Sequence, residues 1–242
     1  MPAYRLPVVF VLACTLLIVG AVTNSRARAQ SDTELDELRR QVGQLHQAGK
    51  DSEAIVVAER YVAEAQKHYG DRHPAYAAAI STLAILLQNT NRPNEAEQLM
   101  RRALRIDEAS LGPEHSTVGG RLNILAILLK DTNRTAEAES LMRRALAIAE
   151  KNFGSEHASV ATALNNLAQL LDDTNRLAEA EPLMRRALAI LEKSLGPDHP
   201  AVAIALDNLA QLLQETNRAI EAEALMRQAL AIHEKSLART IM

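Results

Sequence analysis

The feature that most constrains this chain is a 42-residue period. Residues 157–198 match residues 199–240 at 28 of 42 positions, and His73, His115, His157 and His199 mark the same phase in successive blocks. The blocks 31–72, 73–114, 115–156, 157–198 and 199–240 follow one another without an insertion. A fixed period of this size implies a stacked array, because no single unit buries its apolar face alone. The 242 residues therefore read as one array from 31 to 240 rather than the one or two globular domains that length alone allows.

Within a block the apolar spacing is helical. Leu164, Leu167, Ala168 and Leu171 fall at i, i+3, i+4 and i+7, and Ala180, Leu183, Met184, Ala187, Leu188 and Leu191 form a second stripe. Between the stripes stands Asn175, matched by Asn91, Asn133 and Asn217 and by Gly49 in the first block. Asn and Gly tolerate the left-handed conformation just past a helix end, so each marks a tight helix–helix turn. The second helix ends near Gly70, Gly112, Gly154 or Gly196. Trp is absent and aromatics are scarce, which suits closely packed helices and predicts an all-α fold.

The frame Leu164-x2-Leu167-Ala168-x2-Leu171, then Ala180-x3-Met184-x2-Ala187, resembles the tetratricopeptide repeat, and block two carries it as Ile80, Leu83, Ala84, Leu87, Ala96, Met100 and Ala103. The period is longer than that family's usual ~34 residues, and with the NNLA and LGPDHP strings it is similar to the kinesin light chain type. HEAT and armadillo repeats share periods near 42, but the small-residue spacing favours the tetratricopeptide frame. The resemblance implies a right-handed α-solenoid of five antiparallel helical hairpins, a tetratricopeptide superhelix, with a concave groove for an extended peptide. Block one departs most, with Gln41 for Leu and Tyr61 for Ala, and reads as an N-terminal cap.

Candidate site residues follow from the face opposite the buried stripe of each first helix. One column is Ser81, Asn123, Asn165 and Asp207; the next includes Asn166 and Asn208; a third includes Gln169 and Gln211. Side-chain amides offer both donors and acceptors, so such a ladder suits the backbone of an extended peptide. The same amides could instead bond a neighbouring repeat or only water. Asp172, Asp173, Asp207 and Glu215 collect toward one end of the array, while Arg39 and Arg40 lie toward the other.

Other constellations point away from chemistry. The four histidines sit in different repeats, separated by helix diameters of roughly 10 Å, whereas zinc ligands converge within about 2 Å of one ion. They read instead as residues that start helices. No phosphate loop, Ser/His/Asp grouping or Cys/His spacing occurs in residues 30–242, so no enzyme, metal or cofactor is expected. Arg121 breaks the frame, standing where other blocks have Ala79, Ala163 and Ala205. Gly119-Gly120 replaces Ala77-Ala78 and Ala161-Thr162 and predicts a soft first turn.

At the start, Arg5 precedes an apolar run from Leu6 to Val22 and then Ala27-Arg28-Ala29, a pattern of a secretory signal peptide over residues 1–29. The rival is an uncleaved anchor, so membrane contact is expected only through residues 6–22. Export to a periplasm or the exterior follows, or anchoring with the array outside the cytoplasm. Without residues 1–29 the chain holds 24 basic and 30 acidic residues, which disfavours nucleic acid as partner. Cys14, in the apolar run, is the only cysteine, so the array has neither a disulfide nor a thiol nucleophile. The expected function is a non-catalytic scaffold binding a protein or extended peptide. The alternative is a self-assembling architectural protein, with a homo-oligomer formed through Leu225, Leu230, Ile232 and Leu237 at the C-terminal end.

Overall fold

The computed structural model describes residues 32–241, and the expected signal or anchor segment lies outside them. The described residues form ten helices and no strands: α1 (32–47), α2 (Asp51–Tyr69), α3 (Pro74–Asn89), α4 (Pro93–Leu111), α5 (Ser116–Asp131), α6 (Thr135–Phe153), α7 (Ala158–Asp173), α8 (Leu177–Leu195), α9 (Pro200–Glu215) and α10 (Ala219–Ile241). The starts of α3, α5, α7 and α9 are 42 residues apart. By internal packing the chain divides within α4 into two compact units, one ending at Leu99 and the other beginning at Met100.

The hairpin turn is built the same way four times. Asn91, Asn133, Asn175 and Asn217 have φ of 60, 61, 58 and 60°. The following arginine N–H reaches back to a leucine carbonyl at 2.8 Å, as in Arg176 to Leu171, while Asn175 N–H bonds Asp172. These paired back-bonds satisfy carbonyls that the helix end leaves without partners, and only Asn or Gly takes the required φ cheaply. The preceding threonine adds a third link: the Thr174 hydroxyl donates to Leu170 and Leu171 carbonyls at 2.9 and 3.0 Å.

Each histidine of the column caps a first helix. His73, His115, His157 and His199 accept at Nδ1 from the backbone N–H two residues on, at 3.1 to 3.2 Å. Nδ1 lies as many bonds from the backbone as the Oδ1 of asparagine, so the ring fills an N-cap role usual for Asn or Asp. Phe153 stacks on His157 with centroids 4.8 Å apart, and Tyr69 on His73 at 4.9 Å.

In the first unit, Leu35, Leu38 and Val42 of α1 are buried, as are Ala54, Ile55, Ala58 and Tyr61 of α2. Burial raises the Tyr61 phenol above its ordinary pKa. His68 pairs with Asp32 at 2.9 Å, tying α2 to α1, and α2 packs on α3.

In the second unit, α5 packs on α6, α7 on α8 and α9 on α10 as antiparallel pairs, and α6 and α8 pack on α7 and α9 of the following hairpins. Val160, Ala161, Leu164, Ile190, Leu191, Val202, Ala203 and Leu206 form one continuous core there. On the second helices, the i,i+4 pairs Glu139–Arg143, Glu181–Arg185 and Glu223–Arg227 are present. Two of these glutamates are also bridged between hairpins. Arg176 reaches Glu139 at 2.6 Å and Arg218 reaches Glu181 at 2.7 Å, each also holding the glutamate three residues on. The arginine guanidinium holds each bridged carboxyl below its ordinary range.

Candidate partner-binding face

Because α6 and α8 make most of the contact between hairpins, the first helices α5, α7 and α9 meet only lightly and share one face of the second unit. Each presents a single stripe to solvent: Gly120, Asn123, Ile124, Ile127 and Lys130 on α5; Thr162, Asn165, Asn166, Gln169, Asp172 and Asp173 on α7; Ile204, Asp207, Asn208, Gln211 and Glu215 on α9. Seven of the eight residues expected in the ladder lie on these stripes.

They are not equally available. Gln169 and Gln211 are exposed; Asn123, Asn165, Asn166 and Asn208 are half-buried. Oδ1 of Asn123 and Asn165 is buried without a hydrogen-bond partner. Asp207 is exposed but held by His233 of α10 at 3.1 Å. Ser81, on α3 of the first unit, departs from the expectation: it is 3% exposed and its hydroxyl donates to the Ala77 carbonyl at 2.8 Å. A short hydroxyl in a helix bonds back to the turn below it, so its single donor is spent on the backbone.

The stripes carry charge at their C-terminal ends. Lys130 of α5 bridges to Asp173 of α7 at 2.8 Å. Asp172, which occupies Lys130's position one repeat later, has an unpartnered buried Oδ1; burial foremost, then Glu215 and Asp173, push its carboxyl above the ordinary range.

Arg121, the break in the frame, is 11% exposed and paired at 2.6 Å with Asp107, whose side chain is fully buried. Both stand where the next repeat has small apolar residues, Ala163 and Ala149. The arginine is thus occupied in packing α5 against α4. Among the described residues no group of three or more His, Cys, Asp or Glu could hold a metal ion, and no helix is long and apolar enough to cross a membrane.

One feature of this face escaped the sequence reading. Between α5, α6 and α7 lies a cavity of about 390 Å³, floored by Gly119, Ala145, Ala149 and Ala163 and rimmed by Gly120, Asn123, Phe153, Ser159 and Thr162. A Cβ added at Gly119 would meet Cγ2 of Ile148 at 2.9 Å, so α5 sits against α6 more closely than an alanine there allows, while at Gly120 the space is open. The signal was present as smaller residues at three positions, Gly119, Gly120 and Ala149, where the next block has Ala161, Thr162 and Leu191, but only packing shows that nothing else fills the gap.

An all-α solenoid of helical hairpins is the class this architecture defines. Models described as tetratricopeptide repeat match residues 77–117, 121–193 and 174–235, and the chain belongs to the tetratricopeptide repeat family. No curated protein sequence matches it. Among solved structures it is similar to the nearly identical TPR-like repeats of a putative kinesin light chain from Podosopora anserina, at 27% identity, covering 84% of this chain and 96% of that one with a TM-score of 0.69; a singly substituted form of that protein gives 26%, 85%, 97% and 0.71. BtubC (BKLC) from P. vanneervenii shares the fold at 22% identity, covering 88% of this chain and 91% of that one, TM-score 0.71. Proteins of this family are protein-interaction scaffolds, generally without catalysis.

Proposed function

We propose that the chain is a non-catalytic scaffold that holds an extended segment of a partner protein along the face of α5, α7 and α9. The observation that carries this reading is the repetition of amides at equivalent stripe positions, Asn123 with Asn165, Asn166 with Asn208, Gln169 with Gln211. Two of them keep an oxygen buried without a partner. An unsatisfied polar atom costs stability in the free protein. Rotation of the amide toward an arriving peptide backbone would recover that cost.

Selection of displayed random nonamer peptides on the full chain tests it. Peptides enriched on the native protein should lose binding to the variant Asn123→Ala/Asn165→Ala/Asn166→Ala/Asn208→Ala, which should fold at least as stably. Equal binding to both proteins would refute the reading.

The alternative, self-association through the C-terminal end, keeps only part of its expected surface: Leu230 and Leu237 of α10 are 58 and 67% exposed, but Ile232 is buried in the core and Leu225 is partly buried against it. Light scattering that gives only monomer across the micromolar range excludes it. The sequence pattern of residues 1–29 supports export; N-terminal sequencing of the mature protein should begin at Gln30, and a retained Met1 in the membrane fraction would indicate the anchored form.

A further inference from the structure

We infer that the cavity between α5, α6 and α7 is the anchor pocket of the partner-binding face, taking one uncharged apolar side chain of an extended partner segment. This rests on the peptide-binding reading above and adds the chemistry that the segment must carry.

The repeat itself supplies the reference. At the junction of α7 with α9 the four positions that floor and flank the corresponding space are Ala161, Thr162, Leu191 and Ala205; at the junction of α5 with α7 they are Gly119, Gly120, Ala149 and Ala163. Leu191 is 5% exposed within the continuous core, so the second junction is filled by its own side chain. Three of the four residues at the first junction are smaller than their counterparts; at Gly119 the close approach of Ile148 takes up the difference, but at Gly120 the space is open, and about 390 Å³ remains, inside the range of roughly 300–1,000 Å³ typical of ligand sites. Asp107 and Arg121 occupy the positions of Ala149 and Ala163 one repeat earlier and are spent on each other.

The lining selects the occupant. No ionisable residue borders the cavity, so a charged side chain would be desolvated there without a counter-charge. An apolar side chain replaces contacts that the missing Cβ and leucine would have made. Asn123 stands on the rim with its Oδ1 buried and unpartnered. Rotation about χ2 turns the amide toward a backbone N–H or C=O beside the anchored residue. Exposed Gly120 places the mouth on the same stripe as the ladder, so a segment following Asn165, Asn166 and Gln169 passes over it.

The test uses the nonamer selection with two variants that copy the neighbouring repeat, Ala149→Leu and Gly120→Thr. The first fills the floor and the second narrows the mouth, each with a residue that the fold already accepts at the equivalent position, and circular dichroism checks that each stays folded. Peptides selected on the native chain should share one apolar position and bind each variant about tenfold or more weakly, as expected for losing burial of one apolar side chain. Changing that shared residue to Ser should weaken binding to the native chain alone. If the selected peptides lack a shared apolar position, or bind both variants as well as the native chain, the pocket assignment falls while the ladder stands. Should no peptide distinguish the native chain from the four-asparagine variant, both fall together.

Discussion

Two junctions of the second unit, α5 against α7 and α7 against α9, are made from nearly the same sequence and differ in what they do with it. At the second, Leu191 is buried in the core; the first has Ala149 at that position and leaves space. Their C-terminal ends differ in the opposite sense, since Lys130 bridges Asp173 across the first, whereas Asp172 faces Glu215 across the second with no cation. The difference teaches that in a repeat array the frame is kept by leucines, alanines and turn asparagines. Individuality enters through a few positions that the frame does not use.

The largest expected effect comes from the third version of those positions. Asp107→Ala strands Arg121 as a buried unpaired charge and should cost about 3–5 kcal/mol in denaturant unfolding. The double change Asp107→Ala/Arg121→Ala, which installs the residues of the next repeat, should recover most of it. A double variant as unstable as the single one would break the equivalence of the junctions. Next, Leu191→Ala should open the closed junction and cost about 2–5 kcal/mol; a loss below about 1 kcal/mol would show that Leu191 does not fill it.

Smaller and opposite in sign, Gly120→Ala should stabilise by about 1 kcal/mol, since the space is open and helical glycine is entropically costly. Amide hydrogen exchange should be faster at 119–120 than at 161–162 in the native chain, and the variant should narrow that gap. The smallest effect is electrostatic. Because the folded Asp172 carboxyl is raised, its contribution is full below the unfolded carboxyl pKa and is lost as pH rises through the folded value. Asp172→Lys removes that loss and places a cation before Glu215 at the same spacing by which Lys130 precedes Asp173. Melting temperature should rise at pH 7, by less than about 1 kcal/mol in stability, and the gain should shrink toward pH 3.

The helices, their turns and their caps were legible from residue type and spacing, because Asn at φ near 60° and His at an N-cap act within a few bonds of their own backbone. The i,i+4 pairs Glu139–Arg143 and Glu181–Arg185 depend on the same short range, but the reach of Arg176 and Arg218 back to those glutamates spans 37 residues and is set by how the hairpins stack. Of the ladder, Asn123, Asn165, Asn166, Gln169, Asp207, Asn208 and Gln211 fell on the expected stripes. Ser81 was lost to a backbone bond that any exposed-face assignment by angle overlooks.

By itself the sequence determined the repeat frame, because apolar periodicity and local turn chemistry leave a 42-residue unit little else to form. Only the tertiary structure decided where that frame is filled and where it is open. Arg121 and Ala163 occupy the same position, yet one is held by a buried carboxylate and the other floors a cavity. Free volume and ion pairing depend on what neighbouring repeats bring to the same place, and no single block carries that information.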